Sequence, residues 1–328
     1  MASVRGLVGA VGMGMILALA VVVAGTSTGA QAAPGTTPSA GTVSLSEMAD
    51  AGGLGTSARI AGMGGAFVAL ADDGASVFYN PAGLAFLEGP EIQGAYASGP
   101  AGTPGGQPAT RVGGLVATRH VGLGATRLAV PGEGGDLESW DATAAVAARM
   151  WVVGLGVSGH YLASAMGGAD QERGWSADAG VLISAGPLRL GAVVRNAAGS
   201  LTGADQTQQD VSGMRQVAYG AALRLGFANL AADYVQPPSG WGEDAPAVVR
   251  AGAEIRLGPI ALRAGGSRPQ REDSSFPFLK ERRTVGASLQ LGGLRLDYAA
   301  SEPWNDGDPL WGAHPQDRVQ SLGLRAAF

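Results

Sequence analysis

The chain has 328 residues, of which 46% are hydrophobic, 15% are charged and 55 are glycine, and its formal net charge is −5. Disordered chains combine low hydrophobicity with high net charge, and collagen needs a Gly-X-Y period, so both classes are excluded. The absence of cysteine excludes a disulfide framework, a thiolate metal site and a lipidated N-terminal cysteine, and the acidic balance gives no basic footprint for nucleic acid.

Residues 1–32 are predicted to be a secretory signal peptide. Arg5 gives a positive start, the stretch from Leu7 to Ala24 is apolar, and Ala30-Gln31-Ala32 has the small-x-small pattern of a cleavage site. The alternative is an uncleaved membrane anchor, but three glycines in the apolar stretch weaken it as a helix and favour cleavage. We therefore expect an exported protein that begins with a flexible lead-in at residues 33–44.

Residues 45–90 do not alternate between apolar and polar positions, and their many small residues suit close packing inside another element. The sequence GMGGAFVALADDGASVFYNPAGLA at residues 62–85 resembles the N-terminal hatch signature of one superfamily of outer-membrane barrels. That superfamily contains the FadL-type transporters of hydrophobic compounds and the PorV/PorQ-type barrels, and the Gly-Met-Gly-Gly-Ala-Phe wording is closer to the PorV/PorQ branch. The matching hatch residues are Gly62, Met63, Gly64, Gly65, Asp72, Asp73, Asn80, Pro81, Ala82 and Gly83.

The resemblance implies that residues 45–90 fold into the periplasmic half of the lumen of a fourteen-stranded barrel, with Asn80-Pro81-Ala82 against the wall. The chain departs from the FadL-type transporters in being short, and none of its loops is long enough for the helical external pocket of those proteins. The resemblance therefore favours a PorV/PorQ-type protein.

Residues 91–328 alternate strictly between apolar and polar side chains, as in 249–257, where the odd positions are apolar and the even positions are Arg, Gly, Glu and Arg. This period of two predicts strands with one apolar and one polar face. Short turns are predicted at His120-Val121, Arg149-Met150, Ala185-Gly186-Pro187, Gly226-Phe227, Gly258-Pro259 and Gly292-Gly293. Longer loops are predicted at 99–110, 131–139, 165–174, 196–213, 236–246, 266–281 and 301–317.

Six tight turns alternating with seven loops predict fourteen strands of about 9–12 residues, the length of a tilted strand that crosses a bilayer. A soluble β-sandwich also alternates, but it would need bulkier apolar residues than the Ala and Gly found here. Phe328, which ends an alternating strand, is a frequent mark read by the barrel-assembly machinery. The predicted fold is therefore all-β: a 14-stranded antiparallel transmembrane β-barrel with an N-terminal hatch in the lumen.

Arginines lie between apolar neighbours beside the predicted tight turns. Because the neighbours face lipid, each arginine is expected to point into the lumen, where the six form a basic collar: Arg189, Arg224, Arg256, Arg263, Arg295 and Arg325. One interpretation is that they pair with acidic residues of the wall and the hatch: Asp233, Glu254, Asp297, Asp72, Asp73 and Glu88. The other is a site for an anionic group.

No motif predicts an enzyme, a cofactor or a metal site. Gly154-Leu155-Gly156-Val157-Ser158-Gly159 matches GxGxxG, but it lies in an alternating strand with no following helix, so a dinucleotide site is not expected. His120, His160 and His314 do not have metal-ligand spacing. Seven aromatic residues are assigned to interfacial girdles: Trp140, Trp151, Tyr161, Trp175, Tyr219, Tyr234 and Tyr298.

Two functions remain open for a protein of the bacterial outer membrane. The favoured hypothesis is a PorV/PorQ-like, non-enzymatic component of transport or type IX-like secretion, with secreted proteins or a translocon as partners. The alternative is a FadL-like passive channel for long-chain fatty acids or other hydrophobic small molecules. Outer-membrane lipid and the barrel-assembly machinery are expected partners of either.

Overall fold

A computed structural model describes residues 55–100, 107–132, 135–242, 244–271, 279–304 and 318–328. In it, fourteen antiparallel strands form a closed ring in which consecutive strands pair and the first strand also pairs with the last. The strands are β1 Glu91–Gly99, β2 Ala109–Ala117, β3 Val121–Val130, β4 Leu137–Met150, β5 Val153–Met166, β6 Ala169–Ala185, β7 Leu188–Gly203, β8 Gln216–Arg224, β9 Ala228–Val235, β10 Val248–Leu257, β11 Ile260–Pro269, β12 Arg282–Leu291, β13 Leu294–Pro303 and β14 Val319–Ala327. The predicted fourteen-stranded barrel is confirmed.

The other regular elements of the described residues are short. Between residue 55 and the barrel lie two helices, α1 Ala58–Gly62 and α2 Ser76–Tyr79, and then a 3-10 helix, Pro81–Phe86. Beyond the ring, Gln208–Asp210 pairs with the end of β7, and single 3-10 turns lie at Val211–Met214 and Ser239–Trp241. No helix in the described ranges is long and apolar enough to cross a membrane.

The strands bury polar side chains inside the ring and expose apolar ones outside it. Two neighbours on β10 illustrate this pattern, since Ile255 is 47% exposed whereas Glu254 beside it is 1% exposed. Leucine, isoleucine, valine and aromatic side chains cover the outer face of the strands, which is the arrangement of a barrel that meets acyl chains outside. All seven predicted girdle aromatics are exposed: Trp140, Trp151, Tyr161, Trp175, Tyr219, Tyr234 and Tyr298.

The connections are short at one end of the barrel, and most are long at the other, with local corrections to the predicted turns. The tight turn between β4 and β5 is formed by Trp151 and Val152, not by Arg149-Met150, because Arg149 and Met150 continue the ladder. Trp151 accordingly adopts a positive φ of 54°. Val121 is the first residue of β3 and does not belong to the preceding turn.

The predicted loop at 165–174 is wrong. Gly167 and Gly168 alone connect β5 to β6, and their φ values of 57° and 84° are those of a two-residue hairpin turn that glycine adopts without strain. Similarly, β7 runs to Gly203 through most of the first half of the predicted loop at 196–213. Strands β4 to β7 therefore have 14 to 17 residues, beyond the predicted length.

Residues 55–90, the inner segment, lie inside the ring. Their contacts reach strands all around it, from Glu91 on β1 through Val181 on β6 and Asp233 on β9 to Thr284 on β12. Nearly all apolar side chains of the segment are buried, and they form a cluster with small inward-facing residues of the wall. The proposed boundary of the hatch at residue 45 lies outside the described residues.

Candidate functional site

Arg59 of α1 is the centre of a buried ionic network that joins the inner segment to the wall. Its side chain is 2% exposed, and its Nη1 lies 2.5 Å from Asp72 Oδ1 and 2.8 Å from Asp73 Oδ2. The Nε and Nη2 groups donate to the two carboxylate oxygens of Glu254 on β10 at 2.9 and 3.0 Å. This bidentate pair is the geometry in which a guanidinium binds a carboxylate most strongly.

Glu254 accepts hydrogen bonds from side chains of the wall as well as from the inner segment. Arg263 Nε donates to its Oε2 at 2.7 Å, and Arg256 Nη2 and Asn229 Nδ2 donate to its Oε1 at 2.9 and 2.8 Å. One carboxylate that is 1% exposed is therefore shared by three arginines. Removal of Glu254 would take a carboxylate from the buried side chains of Arg59 and Arg263, which is expensive in an enclosed site.

Asp72 and Asp73 lie in the inner segment, outside the strands. Burial disfavours their charged forms and acts to raise the pKa of each carboxyl, but the Arg59 guanidinium outweighs burial, so both pKa values lie below the ordinary value. Both groups are therefore ionised at neutral pH. The stability that they contribute is present above the ordinary pKa of an aspartate and is lost as the pH falls through the lowered pKa.

The six collar arginines all lie on the inner face near the tight turns. Five approach an acidic side chain, with these distances: Arg224–Asp72 3.7 Å, Arg256–Glu254 2.9 Å, Arg263–Glu254 2.7 Å, Arg295–Asp297 2.9 Å and Arg325–Glu91 2.5 Å. The sixth, Arg189, donates from Nη1 to the carbonyl oxygen of Leu70 at 2.6 Å. The collar arginines thus contact both the wall and the inner segment.

The sequence interpretation of the acidic partners was wrong for two residues. Asp233 accepts from the backbone N–H groups of Phe67 and Val68 at 2.6 and 2.9 Å, and neither it nor Glu88 forms an ion pair within the described residues. Glu91 and Arg59 were missed. Arg59 could have been found, since it is the single basic residue between positions 55 and 90, a segment that also contains the acidic pair Asp72 and Asp73.

The hatch motif residues combine capping with close packing against the wall. Asn80 accepts from the Ala82 N–H at 3.2 Å, which starts the 3-10 helix at Pro81, and donates from Nδ2 to the Val68 carbonyl oxygen at 2.8 Å. Gly64 and Gly65 adopt φ values of 69° and 82°. The structure places the other motif residues as follows: Gly62 ends α1 and accepts from Thr284, Met63 is fully buried, and Ala82 and Gly83 are buried in the 3-10 helix.

Glycines of the wall give the inner segment room. A Cβ added to Gly156 on β5 would overlap the backbone of Pro81 and Ala82, and one added to Gly252 on β10 would overlap the backbone of Met63. In the GxGxxG match, Gly154 and Gly156 thus face the inner segment, whereas a Cβ at Gly159 has nothing within 4 Å. These glycines allow close approach of two backbones.

Two cavities lie on opposite sides of the inner segment. The turn-side cavity, of about 330 Å³, is lined by the ionic network together with Phe86 and the Gly258-Pro259 turn. The loop-side cavity, of about 100 Å³, lies nearer the long connections. Its apolar lining comes from Phe78, Leu162, Val235, Pro237, Pro238, Trp241, Pro246, Val248 and Leu279.

A polar cluster forms one wall of the loop-side cavity. His160 Nδ1 lies 3.2 Å from both carboxylate oxygens of Asp141, and its Nε2 lies 3.2 Å from Ser158 Oγ and 3.4 Å from Asp178 Oδ2. Asp178 also accepts from the Asn196 N–H at 2.9 Å, where the β6–β7 register shifts. Within the described ranges, no group of histidine and acidic residues could hold a metal ion.

The fold of the described chain occurs in known hydrocarbon channels. The CymD monoaromatic hydrocarbon channel matches with a TM-score of 0.62 at 14% identity, covering 84% of this chain and 98% of that one. The toluene transporter TodX of P. putida gives 0.59 at 12% identity and the toluene transporter TbuX of Ralstonia pickettii gives 0.56 at 13%, each covering 84% of this chain and 99% of the other. These likenesses establish the fold. No protein-family model and no curated protein matches the sequence.

The ionic network leads to a prediction about leakage through the lumen. Replacing both Asp72 and Asp73 with Asn leaves Arg59 without two of its three carboxylates, so the inner segment is held less firmly. We expect faster entry of small solutes into liposomes that contain the double variant, measured by osmotic swelling. Swelling at the wild-type rate would count against a latch formed by these residues. The exposed Asp205→Asn change, in a loop, is the matched control and should leave swelling unchanged.

Proposed function

We propose that the protein is a passive outer-membrane channel for hydrophobic small molecules, related to the FadL-type barrels. The observation that carries the proposal is a closed barrel that holds the inner segment in its lumen with a cavity on either side, the loop-side one having apolar residues as half of its lining. Its fold is that of proteins described as hydrocarbon channels and toluene transporters, which supports transport of a related class of compound.

The same observations weigh against the favoured hypothesis from sequence. A PorV/PorQ-like role in secretion rested on the wording of the Gly62–Phe67 motif and on the modest loops. The matching barrels are transport channels, so the alternative hypothesis of a small-molecule channel has the better support. The polar cluster of Ser158, His160 and Asp178 also fits a non-enzymatic role. Ser158 is 3% exposed, which leaves a substrate little access to its hydroxyl, and Asp178 approaches the same His160 nitrogen as Ser158 does.

The proposal also includes export by a signal peptide and assembly in the outer membrane, with lipid around the barrel. Residues 1–32 lie outside the described residues, so the signal peptide remains a prediction. Phe328 follows β14, is 76% exposed, and donates its N–H to the Pro90 carbonyl oxygen at 3.0 Å. Recognition of Phe328 by the barrel-assembly machinery is part of this proposal, and the exposure of its side chain is compatible with it.

Uptake by whole cells tests the channel directly. Expression in the outer membrane of a host that lacks such a channel should raise the uptake of a monoaromatic hydrocarbon several-fold over cells without it. Ser176 faces the loop-side cavity and is 2% exposed, so Ser176→Phe should fill the cavity and return uptake to the background rate. Ala177 is the next residue on β6 and faces outward, so Ala177→Phe is the matched control and should keep the wild-type rate.

Two outcomes would contradict the proposal. One is background uptake in cells whose outer membrane contains the folded wild-type barrel. The other is equal loss of uptake with Ser176→Phe and with Ala177→Phe at equal barrel content, because the effect would then not depend on the cavity. If uptake stays at background and a translocon or secreted cargo co-purifies with the barrel, the secretion hypothesis would be the better supported of the two.

A further inference from the structure

Arg189 on β7 is a buried cation that has no carboxylate within ion-pair distance in the described part of the chain, although Asp72 lies near enough to attract it. It is 0% exposed, its Nη1 donates to the Leu70 carbonyl oxygen, and its Nε and Nη2 have no hydrogen-bond partner there. Buried polar groups are nearly always hydrogen-bonded, and a buried charge without a partner is strongly destabilising. A buried guanidinium with two free donor groups is suited to bind an anion.

Two further arginines lie at the same end: Arg224, and the exposed Arg149, whose Nε donates to the Trp151 carbonyl oxygen at 2.6 Å. Arg149 and Arg189 lie against the ring of Phe86, with guanidinium carbons 4.7 and 5.1 Å from the ring centroid. Arg224 on β8 lies two residues from Ala222, the register partner of Arg189. Its ion pair, with Asp72, spans 3.7 Å, and that carboxylate already binds Arg59 at 2.5 Å.

The turn-side cavity lies beside these arginines. Phe86 and Arg224 line it, and Arg189 lies directly behind Phe86. Among the described residues, more arginines than acidic residues lie around the cavity and the Phe86 side chain. The eight arginines are Arg59, Arg149, Arg189, Arg224, Arg256, Arg263, Arg295 and Arg325, and the six acidic residues are Asp72, Asp73, Glu88, Glu91, Glu254 and Asp297. Among these arginines, Arg149 and Arg189 have no carboxylate within ion-pair distance in the described residues, and the carboxylate nearest Arg224 is 3.7 Å away.

We propose that the turn-side cavity is a binding site for an oxyanion, a phosphate or carboxylate group. The planar forks of Arg224 and Arg189 match the paired oxygens of such a group, and Arg149 adds a third positive charge. Phe86 lines the cavity and lies against Arg189, so binding of the anion to Arg189 requires this ring to turn aside. The site is independent of the proposed hydrocarbon transport, because it lies on the other side of the inner segment.

Thermal unfolding of the purified full-length barrel in non-ionic detergent tests the site, with inorganic phosphate as the probe at constant ionic strength. We expect the Tm to rise with phosphate and to saturate, since a ligand that binds only the folded state stabilises it, and not to rise with chloride. Arg224→Gln should weaken the apparent Kd about tenfold or more, the order expected for loss of one charge-assisted hydrogen bond. Arg127→Gln, in an exposed pair with Glu138, should leave the Kd unchanged.

Arg189→Met separates a binding role from a structural one. It keeps most of the side-chain volume and removes the unpaired charge, so we expect the phosphate response to disappear while the Tm without phosphate does not fall. A structural arginine would behave in the opposite way, lowering the Tm and sparing the response. Should Arg189→Met fail to fold, Arg149→Gln, at an exposed position, should weaken phosphate binding in its place.

A second probe distinguishes a free anion from the head of an amphiphile. Hexyl phosphate that binds no more tightly than inorganic phosphate indicates a site for free anions, and tighter binding indicates an amphiphile; either result requires the site. The proposal is overturned if neither probe raises the Tm of the wild-type barrel, or if Arg224→Gln and Arg127→Gln respond to phosphate as the wild type does.

Discussion

Replacing Arg59 with Gln is expected to destabilise the barrel by about 3–5 kcal/mol, the cost of removing one partner from a buried ion pair. Arg59 forms ion pairs with Asp72, Asp73 and Glu254, and its side chain is 2% exposed. The neutral amide cannot compensate three carboxylates in a site that water scarcely reaches. The expected readouts are a lower midpoint of urea unfolding for the barrel in lipid and a higher ion conductance in planar bilayers.

Arg127→Gln is the matched control for this prediction. Arg127 lies 2.5 Å from Glu138, but the two side chains are 39% and 36% exposed, so solvent screens the pair. Exposed pairs of this kind contribute about 0–1 kcal/mol. If Arg59→Gln shifted the unfolding midpoint no more than Arg127→Gln does, Arg59 would not be the centre that secures the inner segment.

Gly156→Ala is expected to have the second-largest effect. The added methyl group would overlap the Pro81 and Ala82 backbone, and neither β5 nor the 3-10 helix can yield without losing its hydrogen bonds. Overpacking of this kind costs about 1–3 kcal/mol. We expect a lower unfolding midpoint together with more current through the lumen, because the inner segment is displaced while the ring stays closed.

Gly159→Ala on the same strand provides the comparison. A Cβ at Gly159 meets nothing within 4 Å, because the residue faces outward, so this variant should unfold and conduct as the wild type does. The two substitutions are chemically identical and three residues apart. Equal behaviour of the two variants would mean that the glycines of β5 serve the conformation of the strand and not the approach of the inner segment.

The barrel itself was predictable because lipid outside and a polar lumen inside make apolar and polar side chains alternate along each strand. The alternation around Ile255 and Glu254 identified both the strand and the direction of each side chain. The alternation rule failed where the strands extend beyond the apolar part of the outer surface. Between Asp170 and Arg173 both faces of β6 are polar, so alternation disappears, and the hairpin was mistaken for a loop. The signal that remained was Gly167-Gly168, a dipeptide typical of a tight turn.

The candidate site was predictable in kind but not in detail. The position of each collar arginine on the inner face followed from its apolar neighbours, yet its partner did not. Arg59 meets Glu254 across 195 positions of sequence, and alternation carries no information about which inward-facing residues come together at that distance. The role of Gly156 was hidden for the same reason, because the backbone that it accommodates is supplied by Pro81 and Ala82.

The seam of the ring has a consequence for biogenesis. β1 begins directly after Pro90, where the inner segment ends, and β14 pairs with β1 and is followed by Phe328, whose N–H donates to Pro90. First and last strands therefore meet at the point where the enclosed chain leaves the lumen. Because the inner segment is covalently joined to the strand that completes the ring, it is held at the seam when the ring closes. We expect closure of the wall and filling of the lumen to be coupled during assembly.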